Sequence, residues 1–382
     1  MESRQMKILQ TIGSLNAGSG GTSTCTYELV SAMNASGFPV DLLTLRPQSP
    51  TERMLGEDAF IKAYPYDAQT PLAISRNLRR ALAESSYDLY HTNGLWMDVN
   101  HATCVHARSK GKLYIVSPHG MLYPQALAIS SRKKKLMLTL GHRRDLEQAA
   151  CIHVTCKQEM EHCRAFGLTQ PIAVIPNPVQ IPSYLHELRK SDDGVFRVGF
   201  LGRFHPIKNI ESIIRAWANL QLSDAELLLY GDGEPEYVES LRNLVNSTNA
   251  PNVRLMGFVN GRCKYEALAR LDLLCAPSHQ ENFGMSIAEA LLAGTPVMAS
   301  LGTPWEELNT HRCGWWRDNS VASLCECIKE AQSLSSSELL AMGERGKQLI
   351  LSSYSSTKVA QMMATLYGWL LGKNDKPDFV YV

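Results

Sequence analysis

Apolar runs of strand length alternate with amphipathic stretches of helix length along this chain, and the alternation begins twice. MKILQTI, VDLLTL, YDLYHT, KLYIVSP, CIHVTC and IAVIP form the first series, with TCTYELVSAM and PLAISRNLRRALAES between some of them. After the polar stretch SYLHELRKSDDG the rhythm resumes with FRVGFLG, AELLLYG, VRLMGFV, LDLLCAPS and TPVMAS. Such a pattern predicts an α/β chain with one helix-covered parallel sheet in each half. With 382 residues, 45% of them hydrophobic, the chain can bury two ordinary cores. The hinge is expected in IPNPVQIPSY, around Pro176 to Pro182, because each proline fixes its own φ and pushes the preceding residue to extended geometry.

Composition removes several classes of function. Lys plus Arg (38) nearly balances Asp plus Glu (37), so no global field recruits nucleic acid and any anion site must be local. The ten cysteines show neither CxxC pairs nor a His-Cys ligand spacing, which reads as reduced thiols in a cytoplasmic protein. The apolar stretch in MESRQMKILQTIG is too short for a secretory signal, and no run approaches the ~20 apolar residues of a membrane span.

In open α/β sheets ligands sit at the carboxyl ends of strands, so the loops there are where chemistry is sought. GSLNAGSGGTSTCTYELV follows the first strand, and Gly18, Gly20 and Gly21 clear side chains from the start of a helix whose free N–H groups and dipole favour an anion. A plain strand-to-helix turn is the alternative, since GxGxxG is absent. FLGRFHPIKNIESIIRAW opens the other half, and its Arg203 and Lys208 suit two neighbouring phosphates, or are simply solvated charges. In HQENFGMSIAEALLAGTPV, a helix from about Gly284 to Ala293 puts Glu281 in the loop before it and Glu289 more than one turn inside. The two carboxylates are then no side-by-side acid pair. They flank the N–H groups of Phe283, Gly284 and Met285, an arrangement that fits a ligand with hydroxylated rings around a diphosphate; the alternative is a capping Glu281 and a solvated Glu289.

These motifs resemble the retaining glycosyltransferases of family 4, whose GT-B fold sets two Rossmann-like domains with parallel sheets across a central cleft. The resemblance covers nearly the whole chain: GSLNAGSGG, SPHGML, LGRFHPIKN, YGDGE and the Glu-x7-Glu signature from Glu281 to Glu289 occur in the expected order. It implies an acceptor-side domain over 1–178, a nucleotide-sugar-binding domain over 179–354, and a C-terminal helix, about 355–382, packing back on the first. It further implies that Glu289 accepts hydrogen bonds from the donor ribose, and that Glu281 with the amides of Asn282 to Met285 holds sugar hydroxyls. Arg203 and Lys208 would neutralise the departing diphosphate, Gly20 and Gly21 would approach it, and His119 would lie near the reaction centre. The backbone of Gly257, Phe258 and Val259 would line the base pocket. No Asp-x-Asp metal motif occurs, so no cofactor or metal is expected and the cations take that role.

One segment stands apart. Residues 130–148, SSRKKKLMLTLGHRRDLEQ, cluster Arg132, Lys133, Lys134, Lys135, Arg143 and Arg144 around Leu136, Leu138 and Leu140. Such a stretch docks on an anionic membrane surface or is a solvated helix face. If it docks, the acceptor is a lipid-linked glycan intermediate of a bacterial surface polysaccharide such as lipopolysaccharide, and the enzyme sits at the inner face of the membrane. TPWEEL and CGWW resemble stretches of bacterial polysaccharide enzymes. Other readings remain: a non-hydrolysing sugar-nucleotide epimerase, a catalytically silent nucleotide-sugar-binding protein, and a dinucleotide-dependent oxidoreductase, which leaves Arg203, Lys208 and the Glu pair unexplained.

Overall fold

The computed structural model describes residues 6–16, 20–49, 52–67, 72–191 and 193–382. The chain divides into two compact units, Met1–Pro178 with Ser356–Val382, and Val179–Ser355. The first unit holds β1 (Ile8–Ile12), β2 (Val40–Leu45), β3 (Ile61–Tyr64), β4 (Leu89–Asn93), β5 (Leu113–Ser117), β6 (Cys151–Val154) and β7 (Ile172–Val174). They pair in parallel in the order β3-β2-β1-β4-β5-β6-β7, and the last segment, Val380–Tyr381, adds antiparallel to β7.

Every residue of β1 and β4 is buried, because helices cover both faces of the sheet. The strand period of two sends neighbouring side chains to opposite faces. Leu9, Leu43 and Leu45 pack with Leu78, Leu82 and Val99 on one side. Ile8, Ile12 and Leu42 pack on the other with Leu29 and Met33 of helix Gly21–Ala35 and with Val359, Met363 and Tyr367 of helix Ser356–Leu370. Met33 is fully buried, and truncating such a side chain to alanine costs about 2–5 kcal/mol.

The second unit holds β8 (Phe196–Leu201), β9 (Ala225–Tyr230), β10 (Val253–Gly257), β11 (Leu273–Ala276), β12 (Val297–Ser300) and β13 (Gly314–Arg317), all parallel in the order β10-β9-β8-β11-β12-β13. Helix Ile210–Leu220 buries Ile210, Ile213, Ile214 and Trp217, one helical stripe, against Val198 and Phe200. On the opposite face Ile287, Ala288 and Leu291 of helix Met285–Leu292 pack with Leu228 and Leu274. That helix ends in a Schellman turn: Gly294, at φ 82°, donates to Leu291 O and Thr295 N donates to Ala290 O.

Three strands lie outside the apolar runs of the sequence, the short Val380–Tyr381 among them. β3 is an edge strand with no fully buried residue, and β13 carries two tryptophans in four residues rather than an aliphatic run. All ten cysteines are unpaired. Among the described residues no helix is long and apolar enough to cross a membrane. In both sheets the order reverses beside the first strand, between β1 and β4 and between β8 and β11, and the crevice outside the carboxyl ends of such a strand pair is where doubly wound sheets bind ligands.

Candidate active site

In the second unit the loop after β8 is folded against the loop after β11. Phe204 is buried and its N–H donates to Asp232 O at 2.7 Å, while Gly202 N donates to Tyr230 O at 3.1 Å. A Cβ on Gly231 would meet Gly202 O at 1.9 Å, and one on Gly233 would meet Phe204 O at 2.2 Å. Glycine in YGDGE is therefore what lets that loop lie against LGRF. Buried Asn209 donates to Pro277 O (3.3 Å) and Asn319 O (3.1 Å), and His279 N donates to Ile207 O at 2.8 Å. These bonds bring the turn Pro206–Lys208 to the carboxyl end of β11.

There the Lys208 ammonium sits on the Glu281 carboxylate, which also accepts from Ser278 Oγ at 2.9 Å; the lysine and glutamate side chains are 21% and 15% exposed. Arg203 is exposed and makes no ion pair among the described residues. Burial and then the Arg203 and Lys208 charges hold the His205 imidazole below its ordinary pKa. Both cations are thus felt at this turn, where an anion would be favoured.

Phe283 is a core anchor. Its ring packs 5.4 Å from Trp305 and 5.7 Å from Tyr354, and its carbonyl accepts from Trp305 Nε1 at 2.5 Å. Gly284 holds φ 86° at the N-cap, a left-handed conformation that suits glycine, and Met285 begins the helix. The first N–H groups of a helix have no intrahelical partner and are open to a ligand. Asn282 and Met285 are partly buried beside them.

Glu289, one turn further on, is paired with Lys264 at 2.6 Å, and the two side chains are 14% and 23% exposed. Burial raises the Glu289 pKa while Lys264 opposes the rise. Lys264 belongs to helix Gly261–Ala269, which follows Phe258 and Val259. Phe258 is 72% exposed, Val259 packs on the core, and Gly257 O accepts from Gly231 N at 2.9 Å. No motif in the sequence marks Lys264.

In the first unit His119 follows β5 with φ 50°, and its Nε2 lies 3.1 Å from Asn93 Oδ1 at the end of β4. The turn is pinned by buried Glu159, which accepts from Gly120 N at 2.5 Å and from Thr155 N at 2.9 Å. Burial and neighbouring His153 lower the His119 pKa to about 3, burial lowers that of His153 to about 4, and burial takes His91 well below its ordinary value. All three imidazoles are neutral at pH 7. Gly20 caps helix Gly21–Ala35 at φ 88°; both glycines are exposed, with no acidic residue in the first helical turn. Gly18 lies outside the described residues. His119 and the two glycines therefore belong to one unit, and Arg203, Lys208, Glu281 and Glu289 to the other.

The basic segment forms helix Ser131–Met137 and runs through a kink at Gly141 (φ 124°) into Arg143–Glu147. Lys134 turns inward, donating to Ala126 O with its ammonium 5.8 Å from the Trp96 ring centre, and Arg143 pairs with Glu147 at 2.7 Å. Arg132, Lys133 and Lys135 stay exposed, as do Ile129, Leu136 and Leu140 at 70%, 58% and 65%.

Two doubly wound parallel-sheet units, one with a lysine–carboxylate cluster at its switch point, define a two-domain α/β architecture. Residues 20–178 match the family model described as glycosyl transferase 4-like domain, and residues 195–333 match the one described as glycosyl transferases group 1. The chain belongs to the glycosyltransferases that join these two domains, and it is an enzyme of the hexosyltransferase type. The phosphatidyl-myo-inositol mannosyltransferase of Mycobacterium tuberculosis is 25% identical over 301 residues, 74% of each chain. Sucrose-phosphate synthase from Thermosynechococcus elongatus superposes with a TM-score of 0.74 at 21% identity, covering 96% of this chain and 100% of that one. Anabaena HepE in complex with UDP and glucose gives 0.72 at 18% identity, covering 95% and 100%. These neighbours share the GT-B fold.

Proposed function

We propose that this enzyme moves a hexosyl group from a nucleotide-diphosphate sugar to a glycan or lipid-linked acceptor of a bacterial surface polysaccharide, with retention of anomeric configuration. The observation that carries this reading is the cluster at the β8/β11 switch point, where Lys208, Glu281 and exposed Arg203 meet the start of helix Met285–Leu292. In the reaction the bond from the anomeric carbon to the β-phosphate oxygen breaks, and the acceptor oxygen bonds that carbon on the same face. The acceptor proton passes to the departing diphosphate. Negative charge grows on that diphosphate, so Arg203 and Lys208 act mainly on the transition state. Glu281 then turns from Lys208 to sugar hydroxyls, and Glu289 serves the ribose. The mannosyltransferase, by its name, acts on a lipid, and HepE holds UDP and glucose; both support the substrate class.

The exposed cations and leucines of 130–144, Arg132, Lys133, Lys135, Leu136 and Leu140 among them, dock on an anionic membrane surface, which would bring a lipid-linked acceptor to the first unit. A thermal-shift panel of UDP-, GDP- and ADP-sugars, followed by assay of nucleoside diphosphate release in excess EDTA, tests the reading. One nucleotide class should raise the melting temperature, since ligand bound only to the folded state stabilises it, and turnover should survive the chelator. No shift with any donor, or loss of turnover restored by magnesium, would count against it.

A further inference from the structure

Behind His119 the first unit buries a continuous run of polar side chains whose hydrogen bonds can be ordered in only one direction. The run ends on a backbone carbonyl, Ile175 O, which can only accept, so His153 donates to it from Nε2 at 2.9 Å. A neutral His153 then has a bare Nδ1, which accepts from Ser117 Oγ at 2.7 Å. With its proton committed, Ser117 Oγ accepts from His91 Nε2 at 2.6 Å. The bare His91 Nδ1 accepts the Tyr367 hydroxyl proton at 2.8 Å, and the Tyr367 oxygen accepts from Gln10 Nε2 at 2.8 Å. Gln10 Oε1 accepts from Asn93 Nδ2 at 2.9 Å, which leaves Asn93 Oδ1 to accept from His119 Nε2 at 3.1 Å. A second carbonyl, Thr11 O, accepts from the same Asn93 Nδ2 at 3.4 Å and fixes the amide the same way round.

Gln10, His91, Asn93, Ser117, His153 and Tyr367 are all buried, so water offers none of them an alternative partner. Reversing any one bond would set two donors or two acceptors face to face, at a cost comparable to an unsatisfied buried polar group. His119 is only partly buried, and its Nδ1 has no hydrogen-bond partner among the described residues.

We propose that this one-way chain from the Ile175 carbonyl locks His119 in its Nε2–H tautomer, so that Nδ1 offers a permanent lone pair to a substrate hydroxyl and no proton to a phosphate. Gln10, Asn93 and Tyr367 are then positioning residues. Tyr367 lies on helix Ser356–Leu370, so a segment at the far end of the chain sets the chemistry of a strand-end histidine 248 positions earlier in the sequence. The hydroxyl as partner rests on the transfer reading above; the tautomer does not.

Long-range proton–nitrogen correlation spectra of the full chain labelled with nitrogen-15 histidine, assigned with single His→Gln variants, read each tautomer directly. At pH 7 His91, His119 and His153 should all carry the proton on Nε2; a His119 protonated on Nδ1, or on both nitrogens, would overturn the lock. Tyr367→Phe supplies a second reading. It removes the donor to His91 Nδ1 and leaves Ser117, His153 and the Ile175 carbonyl in place, so the His91 Nδ1 resonance should move toward that of an unbonded lone pair with the proton still on Nε2. An unmoved Nδ1 resonance, or a His91 proton relocated to Nδ1, would show that the bonds are not ordered as a chain. Should that variant not fold, the parent spectrum alone still decides. The nucleotide sugar that most raises the melting temperature in the donor panel should then move the His119 Nδ1 resonance, and its nucleoside diphosphate should not. Equal movement by both would assign the contact to phosphate and overturn the hydroxyl role. If no nucleotide sugar binds, the hydroxyl role falls with the transfer reading, while the tautomer result stands.

Discussion

The two units share one strand order around the first strand, yet their carboxyl edges carry opposite chemistry. In the first, His91, His119 and His153 are neutral and partnered by amides, hydroxyls and a carbonyl. In the second, Lys208 meets Glu281 and Lys264 meets Glu289. The difference follows from partners. A buried imidazole without a carboxylate gives up its charge, whereas burial raises the Glu289 pKa against the opposing pull of the Lys264 ammonium. Topology places the loops, and the residues in them decide what is bound.

The largest expected effect lies on the charged edge. Lys208→Ala removes a cation from the departing diphosphate and should lower turnover on the order of 100- to 1,000-fold, by analogy with deleting one oxyanion donor. Nucleoside diphosphate release measures it, with melting temperature as a check on folding. A loss under threefold would mean that the charged edge is structural.

Acid should separate the units by a smaller amount. His91 and His153 have depressed pKa values when folded and titrate near 6.5 when unfolded, so the unfolded chain binds more protons over that interval. Their stability contribution is complete above about pH 6.5 and falls as pH drops toward the folded value, about 4 for His153, by about 1.4 kcal/mol per pH unit for each histidine. Glu289 has the opposite sign. Its pKa is raised, so its contribution is full below the ordinary carboxylate range and is lost as pH rises through the folded value. Hydrogen exchange between pH 7.5 and 5, corrected for intrinsic rates, should show β4 and β6 losing protection before β8 and β11. Simultaneous loss would remove the distinction.

The sheets were legible because strands buried on both faces read as unbroken apolar runs, as MKILQTI and LDLLCAPS do. β3 was not, because an exposed edge strand such as IKAY has no such run. On the charged edge, Lys208 and Glu281 stood out by their loops, and the structure joins them across 73 residues. Lys264 is one lysine in a helix, and only the tertiary approach of two helices gives it a meaning. The histidine chain was hidden for the same reason: His91 and Tyr367 are 276 residues apart, and a single polar residue inside an apolar run carries no motif.

The smallest effect concerns the surface at 130–144. Gln in place of Arg132, Lys133 or Lys135 should each weaken sedimentation with anionic vesicles by about fivefold, at about 1 kcal/mol per cation, and added salt should do the same. Lys134→Gln should matter less, since that ammonium is turned toward Ala126 O and Trp96. Equal effects at all four positions would mean that the inward lysine is released on binding, and no vesicle binding by the parent would make the segment a solvated face.

That the charged edge of the second unit holds the nucleotide is tested most directly by calorimetric titration of Glu289→Ala and the parent with the nucleoside diphosphate of the best donor. A charge-assisted hydrogen bond to ribose is worth on the order of 1.5–3 kcal/mol, so affinity should fall roughly 10- to 150-fold with the fold intact. An unchanged Kd would contradict the assignment and leave Glu289 as the structural partner of Lys264.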